Sequence, residues 1–271
     1  MDALLDWIEA AQPVAELCEL ALATRREPEP EPGGEAAPAL DQRGATGKAL
    51  VAQVVRPSQL TYGELPLRQL KTALEKVREH GGLQDVRAAA QFVDLGCGGG
   101  KLVLAAAVLL QPLAGEVLAA GIELMGPMVA EAEVLRGLLV AKLTADGTEI
   151  GAAAVAAVSA TKFLCGDVLD DAGNAAAGVG WGLAAHSSVG TSIVLVNGLC
   201  FPAKVKAAVC QRLCGDGSSD LASRFVLSTT PLPWPSASSG AATCPEYKLV
   251  YSNEEVRFSI DFLLIFSTSF Y

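Results

Sequence analysis

The sequence is poor in basic residues, in histidine and in aromatic side chains. Its 271 residues include 20 lysines and arginines against 30 acids, which gives a formal charge of −10. The phosphate backbone of a nucleic acid repels such a chain unless basic residues cluster locally. A modest basic cluster between positions 56 and 87 fits the solvated face of an amphipathic helix better than a nucleic-acid patch. We therefore expect no strong intrinsic binding of nucleic acid.

Long apolar runs and a secretory signal are also lacking. The longest apolar run around the glycine-rich segment, residues 102–110, is too short to span a bilayer. The first six residues carry Asp2 and Asp6, whereas a secretory signal would carry basic residues there. These observations predict an intracellular protein without a membrane partner.

Metal-binding patterns are missing as well. The two histidines, His80 and His186, fall at a helix stop and in a Gly/Ser loop. Seven cysteines, an odd number, lie among apolar neighbours, and we expect them to be free and mostly buried thiols. An iron–sulfur site of the radical type would need a third cysteine after Cys210 and Cys214, where Gly217 stands. We predict no metal site.

The most informative segment is residues 92–101, where a buried strand ends at a cluster of glycines and an apolar helix begins. A second apolar stretch, residues 117–122, ends at the carboxylate of Glu123. Glycines let the backbone approach a ligand closely, and the start of a helix offers free N–H donors. A carboxylate after the second strand can hold ribose hydroxyls. This layout predicts a site for a nucleotide-like ligand.

Two common nucleotide sites fit the segment poorly. A phosphate-binding P-loop would need a glycine where Leu95 stands and a hydroxyl where Leu102 stands. The dinucleotide fingerprint matches Gly96 and Gly98, but its third glycine position is Lys101.

S-adenosylmethionine fits the segment better. Its sites typically read Asp-x-Gly-x-Gly with a later glutamate, and Asp94, Gly96, Gly98 and Glu123 provide each part. A glycine-rich turn without a ligand is the remaining alternative. We therefore predict S-adenosyl-L-methionine as the cofactor.

Downstream of residue 90 the chain alternates between β-type and helical segments. Runs that predict strands lie at 91–95, 116–122, 161–165, 192–197 and 224–229, and helical patterns lie at 99–111, 126–143 and 203–214. Such alternation implies right-handed βαβ units and a parallel sheet, and two β-rich runs at 247–251 and 256–266 predict a closing hairpin. A parallel sheet with a C-terminal antiparallel hairpin is the α/β fold of the Rossmann-like class I methyltransferases.

The segment before the sheet predicts a helical N-terminal extension. Residues 1–24 have an amphipathic pattern that Pro13 interrupts, and residues 25–47 are a linker rich in proline, glutamate and glycine. Residues 48–271 would then form the methyltransferase domain. Within it, Pro66 and the sequence His80-Gly81-Gly82 mark the start and the stop of a further helix.

Polar residues stand at the carboxyl ends of four successive predicted strands. Asp94, Glu123, Asp167 and Asn197 occupy these ends, and ligands of parallel sheets bind there. A carboxylate at Asp167 suits the exocyclic amine of adenine, while Val168 can pack on the ring. A turn or a helix cap is the alternative for Asp167, and a turn is the commoner interpretation for Asn197 alone.

Five segments, in this order and at these spacings, resemble the Dot-one (disruptor of telomeric silencing) family of non-SET histone lysine methyltransferases. They are Tyr62-Gly63-Glu64, residues 92–101, Gly121-Ile122-Glu123, Gly166-Asp167-Val168 and the run from Val196-Asn197 to Phe201, with Ser228-Thr229-Thr230-Pro231 following. The resemblance covers residues 60 to about 235, and Tyr-Gly-Glu and Val-Asn-x-x-x-Phe are its specific parts. The chain has lysine at 101 where the family has glutamine, valine at 168 where it has phenylalanine, and glycine at 198 where it has asparagine.

The resemblance implies a role for each matching residue. The catalytic residues would be Tyr62, Asn197 and Phe201, with Asn197 and Phe201 lining a channel for the incoming lysine. The cofactor would contact Tyr62, Gly63, Glu64, Leu65, Phe92, Asp94, Leu95, Gly96, Cys97, Gly98, Gly100, Lys101, Glu123, Asp167, Val168 and Asn197.

The sequence therefore predicts an S-adenosylmethionine-dependent methyltransferase, most specifically a histone or protein lysine N-methyltransferase. The resemblance implies a protein substrate such as a histone within nucleosomes, and a location in the nucleus, with the cytoplasm as the alternative. An enzyme of the same fold that acts on a small molecule or a non-histone protein stays open. So does a catalytically silent, cofactor-binding scaffold module.

Overall fold

A computed structural model describes residues 1–10, 65–146, 149–181, 189–197, 201–214, 224–229, 232–233, 247–252 and 263–267. The predicted kink at Pro13, the linker at 25–47, and Tyr62, Gly63 and Glu64 lie outside the described residues. So does the predicted turn that joins the C-terminal hairpin.

The described elements follow the predicted alternation. The helices are α1 (Asp2–Ala10), α2 (Leu67–Glu79), α3 (Lys101–Leu110), α4 (Gly126–Asp146), α5 (Glu149–Ser159), α6 (Asp171–Ala176) and α7 (Ala203–Cys214), with a short 3-10 turn at Gln111–Leu113. The strands are β1 (Ala89–Leu95), β2 (Glu116–Glu123), β3 (Lys162–Cys165), β4 (Val189–Val196), β5 (Arg224–Ser228), β6 (Tyr247–Ser252) and β7 (Leu263–Ser267).

The strands form one sheet in the order β3-β2-β1-β4-β5-β7-β6. The first five strands pair in parallel, whereas β7 runs antiparallel to both β5 and β6. The sheet reverses its order between β1 and β4, the place where ligands of open α/β sheets bind. The prediction of a Rossmann-like class I methyltransferase fold with a C-terminal antiparallel pair of strands is confirmed.

The sheet is covered on both faces because its central strands are apolar on both sides. In β1, Ala90 and Phe92 belong to the cluster that contains α1, α2 and α3, while Val93 and Leu95 belong to the cluster that contains Trp181 and α7. This strand is buried at every position, as expected for a parallel strand with helices on both faces. The alternation along β1 places Asp94 on the same face as Phe92.

Helix α1 packs on α2 and adds to the core. Leu5 and Ile8 of α1 are fully buried in the same cluster as α2 and α3. Two exposed ion pairs, Asp2 with Lys71 at 2.8 Å and Asp6 with Arg68 at 3.1 Å, show that the two helices run antiparallel. The C-terminal end of α1 therefore lies toward the N-terminal end of α2.

The structure adds two α-helices to those predicted, α5 and α6. Helix α6 falls in the Gly/Ala-rich connection after β3, where small residues gave no helical periodicity. The side chain of Asp170 caps it by accepting a hydrogen bond from the N–H of Gly173 at 3.0 Å. Strand β4 also begins three residues before the predicted 192.

The described residues contain neither a membrane-spanning helix nor a group of metal ligands. None of the described helices combines the length and the apolar composition needed to cross a bilayer. No three histidine, cysteine or acidic side chains among the described residues converge as metal ligands would. Of the cysteines whose environment is described, Cys97 and Cys210 are buried and Cys165 is exposed, and all three are free.

Candidate functional site

The loops that follow β1, β2 and β3 lie side by side at one edge of the sheet. The N–H groups of Gly96 and Cys97 both donate to the carbonyl oxygen of Ile122, at 2.8 and 3.1 Å. The N–H of Gly166 donates to the carbonyl oxygen of Glu123 at 2.9 Å. The end of β4 pairs with the end of β1 through Val196 and Leu95, so the residue after it joins the same edge.

The four polar strand-end residues are therefore brought together. Asp94, Glu123, Asp167 and Asn197 lie on one edge of one sheet, on or immediately after neighbouring strands. The expected juxtaposition of acids beside the glycine loop is what the structure contains.

The glycine loop depends on backbone conformations that other residues rarely adopt. Gly96, Gly98 and Gly100 have φ values of +82°, +51° and +77°. Gly100 precedes α3 directly, and a Cβ added there would approach the ring of Phe163 to 2.6 Å and the Cβ of Ala132 to 2.7 Å. The loop thus passes close to its neighbours at Gly96 and Gly100.

Hydrogen bonds from the glycine loop and from Met125 fix the orientation of the Glu123 side chain. Its Oε2 accepts a hydrogen bond from the N–H of Gly98 at 3.0 Å, and its Oε1 accepts one from the N–H of Met125 at 2.8 Å. The side chain is buried, with 8% exposed. A buried carboxylate with both oxygens hydrogen-bonded has a defined orientation, as a ribose-binding residue requires.

Asp94 has the opposite environment. Its side chain is 1% exposed, and no group among the described residues hydrogen-bonds to either carboxylate oxygen. Burial, and next to it the charge of Glu123, raise the pKa of Asp94 to about 8. A buried polar group without partners is uncommon and costs free energy, so this carboxyl is suited to a ligand that donates hydrogen bonds or carries positive charge.

These features fit S-adenosylmethionine, the cofactor that the fold implies. An ammonium group would satisfy Asp94, and ribose hydroxyls would find acceptors at Glu123. The main support for this fit is the carboxyl of Asp94, which has no hydrogen-bond partner among the described residues.

The turn after β3 carries the two residues expected to hold adenine. Asp167 is half-buried, and its Oδ1 accepts a hydrogen bond from the N–H of Leu169 at 2.8 Å. Its carbonyl oxygen accepts one from Nδ2 of Asn174 at 3.0 Å. Val168 is 9% exposed and packs in the cluster that contains Trp181. The carboxylate of Asp167 thus also serves the turn itself.

Asn197 and Phe201 flank the glycine loop on the β4 side. The Oδ1 of Asn197 accepts a hydrogen bond from Oγ1 of Thr229 at 2.9 Å, and Thr229 is 3% exposed. A Cβ added to Gly96 would meet the ring of Phe201 at 3.0 Å, so this ring lies directly against the loop. The structure brings both residues to the edge at which the cofactor is expected.

Five other residues expected to contact the cofactor turn their side chains elsewhere. Phe92, Leu65 and Leu95 lie in the core, 0%, 2% and 0% exposed. Cys97 packs against Gly121, where an added Cβ would meet its sulfur. The Nζ of Lys101 donates to the carbonyl oxygen of Glu9 in α1 at 3.3 Å. Their contacts with the cofactor stay predictions, and for Cys97 only the backbone is placed to make one.

Burial also alters the chemistry of Cys97. Its thiol is 6% exposed, and burial, followed by the charges of Asp94 and Glu123, raises the pKa of Cys97 well above its usual range. This thiol is therefore protonated and unreactive at neutral pH.

Three residues that support the site, Thr229, Arg212 and Trp181, have no signal in the sequence that indicates this role. Thr229 lies in the segment that carries the family resemblance, but nothing there indicates its bond to Asn197. Trp181 donates a hydrogen bond to the carbonyl oxygen of Val168, 13 residues away in sequence. Arg212 donates to the carbonyl oxygens of Val168 and Leu169, 44 and 43 residues away. No local pattern marks such contacts.

No protein-family model matches the chain, and no curated protein matches it. Among solved structures, the chain is similar to the rRNA methyltransferase aviRa from Streptomyces viridochromogenes, with 15% identity and a TM-score of 0.45 over 80% of this chain and 92% of that one. It is similar to magnesium protoporphyrin IX methyltransferase from Synechocystis with bound SAM, with 14% identity and a TM-score of 0.42 over 86% and 100% of the two chains.

A third similar structure is TrmK from M. capricolum in complex with S-adenosyl-homocysteine. The identity is 11% and the TM-score is 0.39, over 76% of this chain and 68% of that one. Because all three TM-scores lie below 0.5, the assignment of the site rests on its own geometry.

Proposed function

We propose that the protein is an S-adenosylmethionine-dependent methyltransferase. The observation that carries the proposal is the carboxyl of Asp94, which is buried and without a hydrogen-bond partner among the described residues, beside the loop-bound Glu123. A fold without a ligand has no physical reason to keep such a group at the end of its central strand, because an apolar residue there would cost less.

Each of the three parts of the cofactor has residues suited to it. Asp94 and the glycine backbone would hold the methionine part, Glu123 the ribose, and Asp167 with Val168 the adenine. When bound, the cofactor supplies an electrophilic methyl group on a sulfonium.

The chain has to orient the acceptor, exclude water and keep an acceptor amine uncharged. Phe201 offers an apolar ring beside Gly96, which favours the neutral form of an amine through desolvation. The carboxamide of Asn197, oriented by Thr229, offers a polar contact at the same edge. A general-base histidine is not needed for this reaction.

The finer proposal is N-methylation of a lysine in a protein, of the Dot-one type. It is supported by the ordered motifs and by the place of Asn197 and Phe201 beside the glycine loop. The same resemblance makes a nucleosomal histone the acceptor to test first, and the nucleus the location. A small-molecule or non-histone acceptor is the second candidate, because a charge of −10 opposes the approach to nucleosomal DNA.

The test is transfer of a labelled methyl group from S-adenosylmethionine to intact nucleosomes, free histones and a low-mass cell extract. The lysine proposal predicts that the label appears in a histone. It also predicts that the Thr229→Val variant loses this activity, mainly through a lower kcat, because Asn197 loses the hydrogen bond that orients it. Label only in the low-mass fraction would favour the second candidate. Absence of label from every acceptor, despite cofactor binding, would leave the scaffold alternative.

A further inference from the structure

Two consecutive carbonyl groups in the turn after β3 accept hydrogen bonds from distant side chains. The Nε1 of Trp181 donates to the carbonyl oxygen of Val168 at 3.1 Å. The guanidinium of Arg212 donates through Nη1 to the same oxygen at 3.3 Å, and through Nη2 to the carbonyl oxygen of Leu169. Because Trp181 precedes β4 in the chain and Arg212 lies in the last turn of α7, two separate segments of the chain hold one turn.

Two acceptor groups of Asp167 in this turn are also occupied. The carbonyl oxygen of Asp167 accepts hydrogen bonds from the N–H of Asp170 at 2.9 Å and from Nδ2 of Asn174 at 3.0 Å. The carboxylate of Asp167 accepts the N–H of Leu169. Each carbonyl from residue 167 to residue 169 therefore has a donor, and the backbone is fixed without any ligand.

The side chains of Arg212 and Trp181 are chemically suited to hold this turn. A guanidinium is a planar fork whose two nitrogens can bond neighbouring carbonyls together, whereas an ammonium offers a single point of charge. The indole of Trp181 is 4% exposed and packs with Val168 and Leu169, so its N–H needs an acceptor inside the protein. Ordering the backbone costs conformational entropy, and these bonds meet that cost during folding rather than during binding.

We propose that Arg212 and Trp181 are positioning residues, which hold the backbone of residues 167–169 in the conformation that binds the adenine base of a nucleoside. The inference rests on the proposed function, because it takes Asp167 and Val168 as the adenine contacts. Neither Arg212 nor Trp181 touches the nucleoside in this arrangement. They act through the backbone that carries the carboxylate of Asp167 and the side chain of Val168.

The test is calorimetric binding of adenosine and of S-adenosylhomocysteine to the full-length protein. Arg212→Lys keeps the charge and loses the fork, and Trp181→Phe keeps the ring and loses only the N–H. The matched control is Lys204→Gln, at an exposed position in the first turn of α7. We expect Arg212→Lys to weaken both ligands by about tenfold and by the same factor, and the control to bind like the wild type.

An equal loss for the two ligands assigns the effect to the adenosine part that they share. A variant that is merely less stable keeps its affinity at temperatures well below its melting temperature, and Trp181→Phe keeps most of the packing if Arg212→Lys folds poorly. Wild-type affinity for both ligands in both variants would overturn the inference and leave the proposed function standing. Failure of the wild-type protein to bind either ligand would overturn the proposed function itself.

Trp181 also provides a readout that does not depend on affinity. Its indole is hydrogen-bonded to the turn, so occupation of the adenine position should change its fluorescence. We expect adenosine to change the emission of the wild type, of Trp7→Phe and of Trp234→Phe alike, and to leave that of Trp181→Phe unchanged. A signal that disappears with Trp7, which lies on α1, would contradict the proposal.

Discussion

The N–H of Gly98 donates to Oε2 of Glu123 at 3.0 Å, so the glycine loop after β1 and the carboxylate that ends β2 form one unit. The second oxygen of Glu123 is held by the N–H of Met125. A ligand that binds this carboxylate therefore meets the loop in the same place. The hydrogen bond between Gly98 and Glu123 thus links the geometry of the fold to the site.

Glu123→Gln should lower both stability and nucleoside affinity. A carboxamide has a single oxygen, so its NH₂ group must face the N–H of either Gly98 or Met125. Leaving a buried donor without an acceptor costs about 1–3 kcal/mol, which urea denaturation would measure. Glu116→Gln, an exposed position at the other end of β2, should leave stability unchanged. Equal stabilities of the two variants would contradict the role of Glu123.

Asp94→Asn should change how stability depends on pH. The pKa of Asp94 is about 8 in the folded protein and has its ordinary value, 3.8, in the unfolded chain, so the folded state binds more protons between these values. The contribution of Asp94 to the free energy of unfolding is therefore present below pH 3.8 and is lost as the pH rises toward 8. This loss amounts to at most about 1.4 kcal/mol per pH unit.

Asparagine has no such proton, so the stability of the Asp94→Asn variant relative to the wild type should increase from pH 5 to pH 8. Urea denaturation at four pH values measures this difference. The Glu116→Gln variant should follow the wild type throughout. A constant difference between Asp94→Asn and the wild type over this range would show that Asp94 ionises normally in the folded protein.

Gly100→Ala should destabilise the protein, and Gly137→Ala should not. Gly100 has a φ of +77° and no space for a Cβ between Phe163 and Ala132. The conformation alone costs an alanine about 1–3 kcal/mol. Gly137 lies within α4 with open space around it, so alanine there should stabilise the helix by up to about 1 kcal/mol. Thermal unfolding of the two variants should shift in opposite directions.

Lys101→Met should loosen α1. The ammonium of Lys101 is buried at the N-terminus of α3 and donates to a carbonyl in the last turn of α1, where the helix dipole favours a cation. Methionine keeps the apolar stem and loses a charged hydrogen bond worth about 1.5–3 kcal/mol. Hydrogen exchange at Leu5 and Ile8 should become faster. The control Arg68→Gln removes an exposed ion pair and should leave this exchange unchanged.

The fold could be predicted because its signals are local. The apolar strands, the glycine loop and the acids at strand ends all follow from short segments, and neighbouring parallel strands bring their ends to one edge. Helix α7 has the predicted bounds for the same reason. Helix α6 was missed because glycine and alanine hide the helical period, and its signal was the capping side chain of Asp170.

The supporting contacts of the site could not be predicted, because they join residues that are far apart in sequence. Thr229 and Asn197 are 32 residues apart, and Arg212 is 43 residues from Leu169. Such pairs depend on which strands and helices become neighbours, and no periodicity encodes them. The direction of the Lys101 side chain, toward α1 and away from the loop, depends in the same way on the packing of a distant helix.

The most direct measurement of the central claim is calorimetric titration of S-adenosylhomocysteine into the wild type, Glu123→Ala, Asp94→Asn and Glu116→Gln. We predict saturable binding to the wild type and to Glu116→Gln, with a loss of at least about tenfold in the other two variants. No heat of binding to the wild type, or the same affinity in all four proteins, would contradict the assignment of this edge as a cofactor site.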